Sequence, residues 1–118
     1  MQEQGDSADD HERYSRQVRF EPFGEAGQER LREARVAIVG IGALGGASAT
    51  ALLRAGVRKL RLIDRDLAEL SNLPRQLLLT EADVLAGIPK AVAAAAQLAS
   101  IDHQAELDPR VQELTAES

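Results

Sequence analysis

Residues Arg35 to Asp64 read RVAIVGIGALGGASATALLRAGVRKLRLID, and this stretch decides the fold. Val36, Ala37, Ile38 and Val39 form an apolar run, β-branched at three of four positions, which suits a buried strand. The chain then turns on Gly40, Gly42 and Gly45, a G-x-G-x-x-G spacing. A helix follows, and its period predicts an apolar face of Leu44, Ala47, Ser48, Ala51, Leu52 and Ala55. Gly56 is placed to end that helix. Val57, Leu60, Leu62 and Ile63 make a second strand, and Asp64 closes it. Strand, glycine turn, helix, strand and acid is the opening of a dinucleotide-binding unit, so a nucleotide is the first ligand to test.

Each glycine has a physical task in that reading. Gly40 allows the tight turn out of the strand, Gly42 lets a phosphate or ribose approach the backbone, and Gly45 lets the helix pack close to the sheet. Free N–H groups and the helix dipole favour an anion at the helix start. Asp64 follows at the distance where a carboxylate accepts hydrogen bonds from ribose hydroxyls.

Working outward, the whole chain of 118 residues is at most one domain. With 44% apolar residues but only 3% aromatics, its core must be built from Leu, Ala, Val and Ile. A net charge of −5 argues against a nucleic-acid partner, which needs a basic face. The absence of cysteine removes disulfides, thiolate zinc sites and a thiol nucleophile from this chain. No apolar stretch is long enough to span a bilayer, and the acidic opening MQEQGDSADD is unlike a signal or transit peptide. No membrane partner and a cytoplasmic location are the resulting expectations.

Residues 1–10 read as a disordered polar tail, and residues 11–34 as a helical arm. The arm's first helix is expected over His11 to Val18 and carries Arg13, Arg16 and Arg19. That basic cluster is either a solvated face or an arm that brings an arginine to a phosphate. A second helix is expected over Glu25 to Ala34, with Leu31 as its apolar anchor. Residues 35–118 read as a nucleotide-binding half-domain. After Asp64 a loop carries Asp66, Ser71, Asn72 and Arg75, and Pro89 opens a helix beside Lys90. Val92, Ala95, Ala96 and Ala99 are expected on that helix's buried face. Ala105 and Leu107 then alternate with polar residues as a short edge strand, with Pro109 weakening it. The fold class is α/β: a Rossmann-like, three-layer βαβαβ half with an N-terminal helical arm. Its first strand would keep an exposed apolar edge, which calls for a partner.

Taken together, RYSRQVRF (Arg13 to Phe20), GQERL (Gly27 to Leu31), VAIVGIGALG, LIDRD (Leu62 to Asp66), LSNLPRQ (Leu70 to Gln76) and Pro89-Lys90 resemble the ThiF/MoeB/HesA adenylyltransferases. These are bacterial relatives of ubiquitin-activating enzymes. The resemblance implies a nucleotidyltransferase that binds ATP with Mg2+ and adenylates the C-terminal carboxylate of a ubiquitin-like sulfur-carrier protein, as in molybdopterin or thiamine biosynthesis. It implies Gly40, Gly42, Ala43 and Gly45 under the adenosine and α-phosphate, Asp64 at the ribose, and Asp66 and Ser71 among the nucleotide-binding residues. It places Asn72, Arg75 and Lys90 around the phosphates, Arg75 and Lys90 as catalytic charges. Arg16 resembles an arginine finger that crosses into the other site of a homodimer.

Two positions depart from the family pattern: Ala43 stands where many relatives have glycine, and Pro74 where a polar residue is usual. The aspartate that holds magnesium in the family, and its cysteine zinc sites, have no match in this sequence. The chain therefore reads as the front of an adenylyltransferase, either truncated or reliant on a second chain, and inactivity of the chain alone is an expectation. Two alternatives stay open: an NAD(P)-binding oxidoreductase half-domain, and a non-catalytic dimerising remnant. Asn72, Arg75 and Lys90 favour the first reading, because they suit a triphosphate and have no use in hydride transfer.

Overall fold

The structure is a computed structural model that describes residues 8–117. Met1 to Ser7 of the expected tail lie outside those residues, while Ala8, Asp9 and Asp10 open a helix, α1 (Ala8–Arg13). The one helix expected over His11 to Val18 is two, α1 and α2 (Ser15–Val18), separated at Tyr14. Tyr14 turns inward at 3% exposure, and the guanidinium of Arg58 lies 5.8 Å from its ring centroid. The remaining elements are α3 (Gly24–Glu33), β1 (Arg35–Val39), α4 (Ala43–Ala55), β2 (Lys59–Ile63), a 3-10 turn (Leu70–Asn72), α5 (Glu81–Ala86), α6 (Lys90–Ile101) and β3 (Glu106–Arg110).

The sheet is parallel in the order β1-β2-β3, with Arg35 opposite Lys59 and Lys59 opposite Glu106. Both crossovers step one place in the same direction, and right-handed connections then put α4 and α6 on one face. Val36, Ile38, Leu60, Leu62 and Leu107 point into that helical layer and form the core with Leu53, Val57, Ala94 and Leu98. The opposite face carries Arg35, Ala37, Val39, Arg61 and Arg110, all exposed. The Rossmann-like βαβαβ half and its arm are thus as expected.

The buried faces of the two long helices differ in part from the expected ones, with Leu52 and Ala95 packed against the core as expected. In α4 they are Gly46, Ala49 and Leu53, while Leu44 is 81% exposed and Ala47 and Ala51 face outward. In α6 they are Ala91, Ala93, Ala94 and Leu98, while Val92, Ala96 and Ala99 are exposed. Alanine-rich helices carry little periodic contrast, so the face is chosen by fit to the sheet. Small residues turned inward let the helices approach closely. Pro109 sits inside β3 without breaking it. Arg110 faces β2, since its carbonyl accepts from the Asp64 N–H, so alternation turns the Pro109 nitrogen to the open edge.

The arm seats at the N-terminal edge of the sheet. The side-chain amides of Gln17 and Gln28 both donate to the Ala55 carbonyl, at 2.7 and 3.1 Å, satisfying an orphan acceptor at the end of α4. Arg58 donates from Nε to Asp102 at 2.9 Å and from both terminal nitrogens to Asp10 at 3.1 and 2.8 Å. All three residues are buried. The hydrogen bond from Arg58 holds the Asp10 carboxyl below its usual range, outweighing burial. Burial pushes Arg58 down, but its bonds to Asp10 and Asp102 more than offset this and leave it raised. This cluster was not foreseen from sequence, because an Asp, an Arg and an Asp spaced far apart look like surface charges.

Candidate functional site

The opposite, C-terminal edge of the sheet carries the glycine turn. Gly40 has φ +88°, a conformation open to glycine and costly for other residues, and its N–H extends the ladder to the Ile63 carbonyl at 2.8 Å. At Gly45 an added Cβ would lie 1.8 Å from the Gly40 carbonyl oxygen, so helix and turn touch backbone to backbone. Gly42 is different. Its φ is −101°, and an added Cβ would meet nothing closer than Gln76 Nε2 at 3.7 Å. Gly45 is therefore required by the fold, whereas Gly42 leaves open space at the N-terminus of α4, where an anion is favoured. Gly42→Ala is expected to change stability by no more than about 1 kcal/mol in a thermal melt, while weakening nucleotide binding in a titration.

Asp64 fixes this turn. Its Oδ2 accepts from the Ile41 N–H at 2.7 Å and its Oδ1 from the Asp66 N–H at 2.8 Å. The Asp66 carbonyl accepts from the Lys90 N–H at 2.9 Å, and Ala68 N–H donates to Ile88 at 3.0 Å. One run of hydrogen bonds thus joins the glycine turn, the end of β2 and the start of α6. Each Asp64 oxygen keeps a lone pair for a ribose hydroxyl.

Lys90 is only 8% exposed, and no hydrogen-bond acceptor or carboxylate among the described residues meets its side chain. Only Tyr14 Oη and Gln76 Oε1 are sealed from solvent without a partner among the described residues, so the Lys90 ammonium keeps an opening to the surface. A cation at such an opening, with its stem buried, is placed to receive an anion. Asn72 is buried at 6% exposure, and its Oδ1 accepts from the Glu69 N–H at 2.9 Å while its carbonyl receives the Arg75 and Gln76 N–H groups. Its first task is to shape the loop, which leaves Nδ2 for a ligand. Arg75, Asp66 and Ser71 are exposed, as is Ala43, whose methyl does not fill the turn.

The structure does not bring Arg16 to these groups. Arg16 lies on α2 beside Gln17, which bonds Ala55 at the far end of α4. The length of that helix, about 20 Å, separates it from Gly42. Gln76 is the residue that sequence reasoning passed over. It is the last residue of the LSNLPRQ stretch, and the loop carries it back against the glycine turn. Among the described residues no group of three or more His, Cys, Asp or Glu side chains is placed to hold a metal ion.

The pattern of the ThiF family matches residues 14–118. The chain belongs to the ThiF family. Among ThiF-family relatives, it is 51% identical over 106 residues to the Sulfur carrier protein ThiS adenylyltransferase of Bacillus subtilis, covering 90% of this chain and 32% of that protein. It is 47% identical over 109 residues to the Adenylyltransferase and sulfurtransferase MOCS3 of Sus scrofa, covering 92% of this chain and 24% of that protein. Among solved structures it superposes with a TM-score of 0.84 and 27% identity on the E. coli tRNA N6-threonylcarbamoyladenosine dehydratase TcdA in complex with ATP, covering 94% of this chain and 44% of that chain. The chain spans about a third or less of the length of these two curated relatives.

Proposed function

We propose that the chain is the nucleotide-binding front part of an ATP-dependent adenylyltransferase that activates the C-terminal carboxylate of a ubiquitin-like sulfur-carrier protein. The observation that carries this reading is Lys90. A largely buried lysine that meets no counter-charge among the described residues, tied through Asp66 and Asp64 to an open glycine turn at a helix start, suits a polyphosphate. The carrier-activating relative and the ATP-bound solved structure support the same chemistry.

In this reading Gly40, Gly42, Ala43 and Gly45 form the floor of the site, and Asp64 and Asp66 hold the ribose. Ser71, Asn72 and Arg75 hold the phosphates together with Lys90. The adenylyl group comes from bound ATP, accompanied by Mg2+. Arg75 and Lys90 oppose the negative charge that grows on the leaving side. Arg16, held at the wrong end of its own chain, serves a neighbour in a homodimer. Residues 11–34 act as the arm and residues 35–118 as the nucleotide-binding half, in the cytoplasm. No helix among the described residues is long and apolar enough to cross a membrane.

The test is carrier-dependent exchange of labelled pyrophosphate into ATP, with the chain supplied alone and with any second chain it requires. Lys90→Met is expected to lower exchange and ATP affinity at least about tenfold. The same change should leave the unfolding midpoint nearly unchanged, because Met keeps the buried aliphatic stem and no ion pair among the described residues is lost. A fall in midpoint with unchanged ATP affinity would make Lys90 a structural residue and remove the main support for this reading.

A further inference from the structure

We infer that Gln76 is a nucleotide-binding residue, whose side-chain amide donates to a phosphate oxygen seated over Gly42. Three observations meet here. Gln76 is 5% exposed, so its amide has been taken out of water. Its Oε1 is sealed from solvent with no hydrogen-bond partner among the described residues. Nε2 stands 3.7 Å from the position a Cβ would take on Gly42, at the mouth of the space that the missing side chain leaves. Burying an amide without partners costs free energy that a packed apolar side chain would not incur. The loop nonetheless holds it rigidly, since the Gln76 N–H donates to the Asn72 carbonyl at 2.9 Å and its carbonyl accepts from Leu79 at 3.3 Å. An amide so held, beside the N-terminus of a helix of 13 residues, is a donor aimed at an anion.

The inference rests on the nucleotide reading above and adds a specific contact to it. It also explains why Gly42 is glycine although neither its φ nor its neighbours forbid a methyl group. A Cβ there would stand between the Gln76 amide and the ligand.

The test is a titration of the 118-residue chain with ATP and with adenosine, for the wild type, Gln76→Glu and Gln76→Leu. Gln76→Glu keeps the size of the side chain and places a carboxylate against the phosphates. It is expected to weaken ATP at least about tenfold, and Gln76→Leu about tenfold, while adenosine binds each variant about as it binds the wild type. Retained adenosine binding shows that the variants are folded. As a measurement that needs no folded variant, the side-chain NH2 signals of Gln76 in the 15N-labelled wild type should move with ATP and stay still with adenosine. If wild type binds ATP and both variants bind it equally well, or the NH2 signals do not move, the inference fails and the nucleotide reading stands. If wild type binds no ATP at all, that reading fails and takes this one with it.

Discussion

Arg58→Met is expected to destabilise the chain by about 3–5 kcal/mol, the cost of breaking a buried ion pair from one side. Arg58 is the only cation bonded to Asp10 and Asp102 together among the described residues, and both acids are buried at 3% and 1% exposure. Removing it takes from both buried carboxylates the hydrogen bonds it donates. For a domain of this size such a loss lowers the midpoint by more than about 10 °C, easily read in a thermal melt. The damage should be repaired in part by neutralising the acids, Asp10→Asn with Asp102→Asn, because the charges left behind cause most of it.

The same cluster sets a pH dependence whose sign can be worked out. Asp10 is held below its usual range in the folded chain, so its contribution is fully present above about pH 4 and is lost as pH falls through the lowered folded value. Wild type should therefore lose stability on acidification in that window. In Arg58→Met this acid loss should shrink, because the hydrogen bonds that hold the Asp10 carboxyl down in the folded chain are gone. Melts at a series of pH values for the two proteins check this directly. Equal acid sensitivity in both would show that the cluster contributes little.

Gly45→Ala is the second large effect, and it is expected to abolish the ordered fold. The added methyl carbon would stand 1.8 Å from the Gly40 carbonyl oxygen, a backbone atom that cannot swing aside. Relief requires α4 to move off β1, which opens the core around Ile38, Ala49 and Leu53. Circular dichroism should show a lost or broadened transition. Gly42→Ala, three residues away, is the control, since it meets only ordinary contact with Gln76. Equal behaviour of the two variants would mean that the glycine turn is looser than described.

The strand–turn–helix–strand core was legible because its signals are local. The β-branched run before Gly40, the positive φ that Gly40 demands and the helix stop at Gly56 (φ +123°) each act within a few residues. The inward faces of α4 and α6 were not legible, because alanine offers no contrast around a helix and the sheet chooses the face. At the site, the glycines and Asp64 stood out by type and spacing, and Lys90 through the family resemblance. Gln76 did not, because a glutamine in a loop has no local signature; only its burial and its orphaned oxygen mark it. Arg58 was missed for the same reason, its partners lying 48 and 44 residues away.

The most direct measurement is calorimetric titration of the purified chain with ATP and, separately, with NAD. The polyphosphate site built around Lys90 and the glycine turn predicts saturable binding of ATP, tighter than that of NAD, and loss of the ATP signal in Lys90→Met. Tight binding of NAD with no heat from ATP would contradict it.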